Sequence, residues 1–198
     1  MVRYTGGKKS LRFFKFDICE YYPSITLKLL NKALKFASSF VQISDLDINV
    51  IPQSRETLLF YKGEQWIKKK GTFDCAMGSF DGAKCCELIG LCILNKLTTG
   101  KFAPFKSSQL GLYRDDGLAV VKIRGRQGGI LNSLRKKEIE IFKKEELNIT
   151  VEHGMVNTDF LDVRLDLGMA EYRPFRKEND CPEFIMLRVI TLQELFHK

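Results

Sequence analysis

Two adjacent aspartates, Asp115 and Asp116, lie in the middle of the apolar stretch GLYRDDGLAVV, residues 111–121. The residues on both sides favour β-strands, so a sheet would hold the two carboxylates in a fixed place. A surface hairpin explains the pair, because Asp-Gly is a frequent tight-turn sequence. A metal site also explains it, because carboxylate oxygens are preferred ligands of Mg²⁺. Both interpretations stay open on this stretch alone.

A third aspartate, Asp17, ends the apolar stretch LRFFKFDI, residues 11–18. An aspartate at the end of a buried strand can extend into a cleft while the strand holds its backbone still. The alternative is an ordinary strand-end residue, since Asp is common at turns. If Asp17 lies beside Asp115 and Asp116, the three charges repel one another unless they share cations. Two Mg²⁺ ions about 4 Å apart can activate an attacking hydroxyl and stabilise a leaving phosphate, so the set predicts phosphoryl transfer.

The elements on either side of Asp17 are predicted from the apolar pattern. The strand at 11–18 is followed by Pro23, which opens a helix with Ser24 as its N-cap. One face of this helix is apolar and consists of Ile25, Leu29, Leu30, Ala33, Leu34 and Ala37. Irregular structure is expected next, over the polar residues 43–56.

The rest of the chain alternates strands and helices. The pattern predicts a hairpin that turns at Lys62–Gly63, a helix from about Ala83, and two strands joined at Asp115-Asp116-Gly117. The later elements are a charged helix over 130–146, a strand over 147–152 and a hairpin that turns at Gly168–Met169. This mixed order favours an α+β fold. We expect a split βαβ (ferredoxin-like) antiparallel sheet with helices packed on one face.

Composition narrows the functional classes. The 198 residues are 44% hydrophobic and 28% charged, which is typical of a folded chain with a core. The net charge of +8 suits a polyanionic partner, nucleic acid first, although a solvated lysine surface would give the same number. No apolar run is long enough to span a bilayer, and the N-terminus has no hydrophobic signal region. We therefore expect an intracellular protein, nuclear or cytoplasmic, without a membrane partner.

The cysteines also favour an intracellular protein. None of the six cysteines forms a C-x-x-C pair, and the chain has only two histidines, so a zinc site is not expected. Free, mostly buried thiols in a reducing compartment explain the cysteines better.

Four segments occur in the order of the palm motifs of reverse transcriptases: FDICEYYPSI, CAMGSFDGA, YRDDG and TDFLDVRLDL. The chain resembles this family, and is most similar to Penelope-like and related retroelement enzymes. YKGEQWIKKKGTFDCAMGS resembles the hairpin that precedes their second motif, and YRPFRK resembles the segment after their FLDV strand. The resemblance implies a right-hand polymerase palm and an RNA-directed DNA polymerase that uses an RNA template, a DNA primer and dNTPs.

The resemblance also implies roles for individual residues. The catalytic metal ligands for two Mg²⁺ ions, or Mn²⁺ in their place, would be Asp17, Asp115, Asp116 and the carbonyl of Ile18. The nucleotide would contact Tyr22, under its sugar, and Gly78 and Ser79. Primer and template would contact Tyr113, Phe160, Leu161 and Asp162. Simpler interpretations exist for several of these residues: a core tyrosine at 22, a helix-entry turn at 78–79 and a plain amphipathic strand at 160–162.

The same resemblance divides the chain into a flexible segment over 1–10, a palm over 11–177 and a truncated start of a thumb or a tail over 178–198. The hairpin at 57–70 would be part of the fingers. Two departures bear on template handling, namely Phe80-Asp81-Gly82 in place of a proline-containing turn and Arg114 in the third motif.

Two other functions fit the residues. One is an inactive, truncated or domesticated remnant that binds nucleic acid through its charge. The other is a DNA-templated polymerase, because YYPSI resembles a family B DNA polymerase motif. That family ends its palm hairpin in Asp-Thr-Asp, however, and RNA-templated RNA polymerases favour a polar residue in place of Tyr22.

Overall fold

The structure is a computed structural model that describes residues 11–67, 71–100, 103–123 and 127–175, without the side chains of 127 and 128. The predicted segments 1–10 and 178–198 lie outside these residues. The chain forms two compact units, Met1–Val156 and Asn157–Lys198. No helix in the described ranges has the length and apolar character needed to cross a membrane.

The first unit contains a four-stranded antiparallel sheet and its covering helices. Its elements in chain order are β1 (Leu11–Ile18), α1 (Tyr21–Ser24), α2 (Leu27–Ala37), α3 (Asp45–Gln53), β2 (Leu59–Tyr61), β3 (Glu64–Trp66), α4 (Gly82–Thr98), β4 (Leu110–Tyr113), β5 (Asp116–Lys122), α5 (Gln127–Lys144) and β6 (Ile149–Met155). The strand order is β4-β5-β1-β6, and every neighbouring pair is antiparallel. Helices connect β1 to the β4–β5 hairpin, and α5 connects β5 to β6. The α+β class and the split βαβ sheet are therefore confirmed.

The core lies between this sheet and the helices. Alternate residues of β1 are buried in it: Phe14, Phe16 and Ile18. The Phe16 ring packs against Phe142 of α5, with 5.3 Å between ring centroids. The helices add the buried residues Leu29, Leu30, Leu34, Ile89, Ile93 and Leu97. Because strand side chains alternate, Asp17, between Phe16 and Ile18, points away from this core.

The start of α2 differs from the sequence prediction. Ser24 is not its N-cap, because Tyr21–Ser24 form a separate one-turn helix, α1. Thr26 caps α2 instead, and its Oγ1 accepts a hydrogen bond from the Leu29 N–H at 3.2 Å. The predicted apolar face is otherwise correct, since all its members are buried except Ala37, which is half-buried.

The expectation of irregular structure over 43–56 is wrong. Residues Asp45–Gln53 form α3, and Ser44 caps it by accepting a hydrogen bond from the Asp47 N–H at 3.1 Å. No residue of α3 is fully buried. The helix therefore has no strong apolar stripe, and its only sequence signals are the serine cap and two aspartates in the first turn.

The hairpin and the helix that follow α3 are where the sequence places them. Strands β2 and β3 are joined at Lys62 and Gly63, and both residues have positive φ angles, of 53° and 81°. Such angles are typical of tight hairpin turns. Helix α4 begins at Gly82, one residue before the predicted start.

The second unit contains a three-stranded antiparallel sheet in the order β7-β8-β9, with β7 (Asn157–Phe160), β8 (Val163–Asp166) and β9 (Glu171–Pro174). The sequence predicts a single hairpin here, which is wrong in part. A second turn at Leu161 and Asp162 separates β7 from β8, and Leu161 has a φ of 53°. The alternating pattern of this segment predicts one continuous strand, because neither turn residue is a glycine or a proline that would mark the turn.

Candidate active site

Three aspartates meet where β1 and the β4–β5 hairpin end. Asp17 of β1 lies directly opposite Asp116 of β5 in the antiparallel register. Residues opposite each other in such a pair have Cβ atoms roughly 5 Å apart. Asp115 is one residue earlier, and its carbonyl accepts a hydrogen bond from the Ile18 N–H at 3.0 Å. The fold therefore brings together the four residues predicted as metal ligands: Asp17, Ile18, Asp115 and Asp116.

The electrostatics of Asp17 reflect this crowding. Partial burial raises its pKa above the ordinary value of 3.8, and the negative charge of Asp115 raises the pKa further. Lys15, two residues earlier on β1, acts in the opposite direction without cancelling the effect. Asp17 is thus a carboxylate beside a like charge, which is the environment that a cation would relieve.

The turn between β4 and β5 differs from the Asp-Gly turn predicted from the sequence. It consists of Arg114 and Asp115, and Arg114 adopts a φ of 54°. Asp116 is already a strand residue and pairs with Tyr113. Gly117 is buried in the sheet and is not part of the turn. A glycine is needed there because a Cβ would lie 2.0 Å from the Phe16 ring. This glycine makes room for a core aromatic and leaves the turn to its neighbours.

Tyr22 lies beside this site and also belongs to the core. Its side chain is buried, and burial raises its pKa above the ordinary value of 10, with further contributions from the Cys86 thiol and from Asp115. Arg114 partly opposes that shift. The phenol is therefore close enough to sense both residues of the turn. The proposed contact with a nucleotide sugar stays a prediction.

Tyr21 has a role that sequence reasoning did not identify. Its buried hydroxyl donates a hydrogen bond to the Cys86 carbonyl of α4 at 2.8 Å. The hydroxyl thereby ties α1, and with it Tyr22, to α4. The only sequence signal was the pair of adjacent tyrosines, which does not say which one makes the structural contact.

Gly78 and Ser79 form a turn immediately before α4. Gly78 has a φ of 85°, a conformation that suits glycine. The Ser79 hydroxyl donates a hydrogen bond to the Ala76 carbonyl at 2.8 Å and accepts one from Arg55 at 3.1 Å. Arg55 is a second residue that the sequence did not indicate, because it lies in the segment expected to be irregular.

The residues predicted to grip the primer are divided between the units. Tyr113 is half exposed, lies opposite Asp116, and carries the Arg114 guanidinium 5.3 Å from its ring centre. Phe160, Leu161 and Asp162 belong to the second unit, at the β7–β8 turn. The Asp162 carbonyl accepts a hydrogen bond from the Phe175 N–H at 2.8 Å, which closes that turn against the end of β9.

The aspartates are suited to a cation whose remaining ligands come from water and a bound substrate. Within the described ranges, no group of three or more His, Cys, Asp and Glu side chains is arranged to hold a metal ion by itself. Mg²⁺ is usually held by one or two carboxylates together with waters and substrate phosphates. Asp17 and Asp115, which already interact as like charges, supply such a pair.

Comparison with known proteins shows a similarity of fold only. No protein-family model matches the chain, and no curated protein matches it at a significant level. Two solved structures of apo telomerase from Candida tropicalis are similar. One, truncated from the C-terminal domain, has a TM-score of 0.58 and 15% identity and covers 83% of this chain and 35% of its own. The other has a TM-score of 0.64 and 13% identity and covers 83% and 33%.

The chain thus spans about a third of the telomerase structures that it matches. At these identities the similarity concerns the fold alone. The strand-end aspartates thus lie in a sheet whose fold is similar to part of the telomerase structures.

Proposed function

We propose that this chain is the palm of an RNA-directed DNA polymerase of a retroelement, which adds dNTPs to a primer 3′-hydroxyl. One observation carries the proposal. The register of β1 against β5 brings Asp17, Asp115 and Asp116 to one end of a split βαβ sheet. The similarity to telomerase supports the fold, and the net charge of +8 supports a nucleic acid partner.

In this function Asp17 and Asp115 would hold Mg²⁺, or Mn²⁺ in its place, with Asp116 beside them and the Ile18 carbonyl as a further ligand. When bound, two such ions activate the primer hydroxyl and stabilise the charge on the leaving pyrophosphate. The protein contributes rigid placement, because Asp17 lies in β1 and the backbone of Asp115, in the β4–β5 turn, accepts a hydrogen bond from the Ile18 N–H. Positioning and charge stabilisation are the main requirements of phosphoryl transfer.

Tyr22 would select the sugar of the incoming nucleotide. Its ring is fixed by burial, and its neighbours include Asp115 and Arg114 of the metal-side turn. A rigid apolar ring face offers neither space nor a polar partner to a 2′-hydroxyl, which is the group that distinguishes ribonucleotides. Gly78 and Ser79 would approach the nucleotide, and Tyr113 and the 160–162 turn would contact primer and template.

The test is primer extension by the purified chain on an RNA template with dNTPs and Mg²⁺, together with Asp115→Ala and Asp116→Ala. Asp45→Ala is the matched control, because Asp45 is an exposed carboxylate on α3. We expect extension by the wild type and the control, and its loss in both site variants. Unchanged extension in Asp115→Ala would contradict the metal-site assignment.

The basic charge favours one second function, a nucleic-acid-binding remnant without catalysis. A folded wild type that binds the primer–template but extends it with neither Mg²⁺ nor Mn²⁺ would support this alternative. Replacing the RNA template by DNA, and dNTPs by rNTPs, separates reverse transcription from the other polymerase activities. We expect Tyr22→Ala to incorporate rNTPs more readily than the wild type does.

A further inference from the structure

Asp81 lies in the turn before α4, where the reverse transcriptase motif has a proline-containing turn and where template contacts are expected. The structure gives this carboxylate a partner inside the chain. The Arg55 guanidinium forms an ion pair with Asp81 through one terminal nitrogen, and through the other it donates a hydrogen bond to the Ser79 hydroxyl. One side chain thus holds two positions of the same turn.

The backbone around Arg55 is fixed to the strand-like segment that precedes the turn. The Arg55 carbonyl accepts a hydrogen bond from the Asp74 N–H at 2.8 Å. The Thr57 N–H donates to the Thr72 carbonyl at 2.7 Å, and Glu56 forms a bridge with Phe73. The backbone of Arg55 is therefore anchored, and its guanidinium reaches the turn from this fixed position.

The turn itself is closed by a backbone hydrogen bond, and it has no room for a side chain at position 82. The Gly82 N–H donates to the Ser79 carbonyl at 3.2 Å. A Cβ on Gly82 would lie 2.3 Å from the Ser79 hydroxyl and 2.7 Å from the Ala76 carbonyl. Ser79 is thus the centre of the turn, and Arg55 contacts Ser79 directly.

Because the ion pair between Arg55 and Asp81 is partly buried, it restrains the turn more strongly than a surface ion pair would. The side chain of Arg55 is 11% exposed and that of Asp81 is 27% exposed. Removing one member of a pair in this setting leaves a poorly solvated charge without its counter-charge, which costs more than the loss of a surface ion pair. Lysine would not replace Arg55 fully, because a single ammonium lacks the planar fork that reaches two acceptors in fixed directions.

We propose that Arg55 is a positioning residue that fixes the 76–82 turn, and that Asp81 serves as its internal counter-charge and does not contact the template. The role of the turn in nucleotide binding rests on the function proposed above. In that function the pair keeps Gly78 and Ser79 in the shape that receives the nucleotide, and it shields the template phosphates from a bare carboxylate.

The first experiment measures amide hydrogen exchange over 76–82 in the full chain, for the wild type, Arg55→Gln, Asp81→Asn and the double variant. Lys84→Gln is the matched control, because it removes an exposed cation from the first turn of α4. We expect exchange about 10-fold faster in Arg55→Gln and a smaller increase in Asp81→Asn, which keeps the hydrogen bond from Arg55 to Ser79. The double variant should exchange no faster than Arg55→Gln, because the ion pair that Asp81→Asn removes is already lost in Arg55→Gln. Exchange equal to that of Lys84→Gln, or additive effects in the double variant, would overturn the proposal.

The second experiment separates positioning from general destabilisation. In primer extension we expect Arg55→Gln to raise the KM for dNTP about 10-fold with kcat within about twofold of the wild type. Arg55→Lys, which keeps the charge and folds with the least disturbance, should give an intermediate KM. A uniform fall in kcat with unchanged KM would overturn the role in nucleotide binding. If the wild type does not extend primers, the function proposed above fails, and the exchange data still decide whether Arg55 holds the turn.

Discussion

Two carboxylates of the first unit, Asp17 and Asp81, have opposite electrostatic surroundings. Asp17 lies beside Asp115, and partial burial together with that like charge raises its pKa. Asp81 lies against the guanidinium of Arg55. The chain thus supplies the counter-charge at the turn before α4, but it brings negative charges together at the end of β1. The difference is that the turn has its counter-charge within the chain, whereas the like charges at the strand end are the place where the proposed function puts a cation.

Glu138 of α5 provides a third environment. It is completely buried, and neither carboxylate oxygen has a hydrogen-bond partner among the described residues. Burial raises its pKa to about 8. At neutral pH this residue is therefore mostly a neutral carboxylic acid, because burial disfavours its charged form.

The largest effect on primer extension is expected from a substitution at the end of β1. Asp17→Asn keeps the side-chain shape and removes the charge, so folding should be unaffected because a repulsion is relieved. If Asp17 binds the metal as proposed, primer extension should fall by at least about 1000-fold, equivalent to about 4 kcal/mol. Asp81→Asn is the comparison and should lower extension only about 10-fold. Similar losses in the two variants, measured as kcat/KM, would remove the distinction between the sites.

The second largest effect is on the pH dependence of stability and comes from the buried Glu138. The folded-state pKa of Glu138 lies above its ordinary value of 4.5, so between 4.5 and about 8 the folded state binds more protons than the unfolded state. The free energy of unfolding therefore falls as pH rises through this window, by on the order of 3 kcal/mol up to pH 7. Glu138→Gln should abolish this dependence in urea titrations at pH 5 and 7. Glu140→Gln, an exposed change on the same helix, should leave it intact.

A smaller effect is expected from the glycine that lets Asp116 sit opposite Asp17. Gly117→Ala would place a methyl group inside the Phe16 ring position and should lower the free energy of unfolding by about 2 kcal/mol. Gly111→Ala on β4 is the control, because its Cβ would meet no atom within 4 Å. Equal stability of the two variants in urea would show that Phe16 moves aside without cost.

The smallest effect on stability should come from an ion pair that is exposed to solvent. Lys28 and Glu146 form an ion pair at 2.7 Å, with side chains 67% and 57% exposed. Lys28→Ala should shift the Tm by less than about 2 °C, because water and salt screen such pairs. A larger shift that persists at high salt would mean that Lys28 contributes by packing.

The sequence located most elements because their signals are local. The apolar run of β1, the stripe of α2 and the Lys62–Gly63 turn each depend on neighbouring residues, and each is present as predicted. Helix α3 was not predicted, since it buries no residue and therefore shows no apolar period. The β7–β8 turn was also not predicted, because Leu161 adopts a positive φ that its residue type does not announce.

The site shows the same division. The three aspartates were identified from their spacing and their apolar flanks. The sequence suggested the wrong turn for them, because Asp116-Gly117 reads as a hairpin signal. The structure gives the turn to Arg114 and Asp115 and uses Gly117 to accommodate Phe16, a contact between strands that are about a hundred residues apart in the chain.

The sequence by itself determined the residue types, the order of the elements and the α+β class, because these follow from periodicity, turn chemistry and charge along a continuous chain. Only the tertiary structure decided which charges meet. The register of β1 against β5 places Asp17 opposite Asp116, and the anchoring of Arg55 beside residues 72–74 gives Asp81 its counter-charge. Both outcomes depend on contacts between distant segments, whose distances no local pattern encodes.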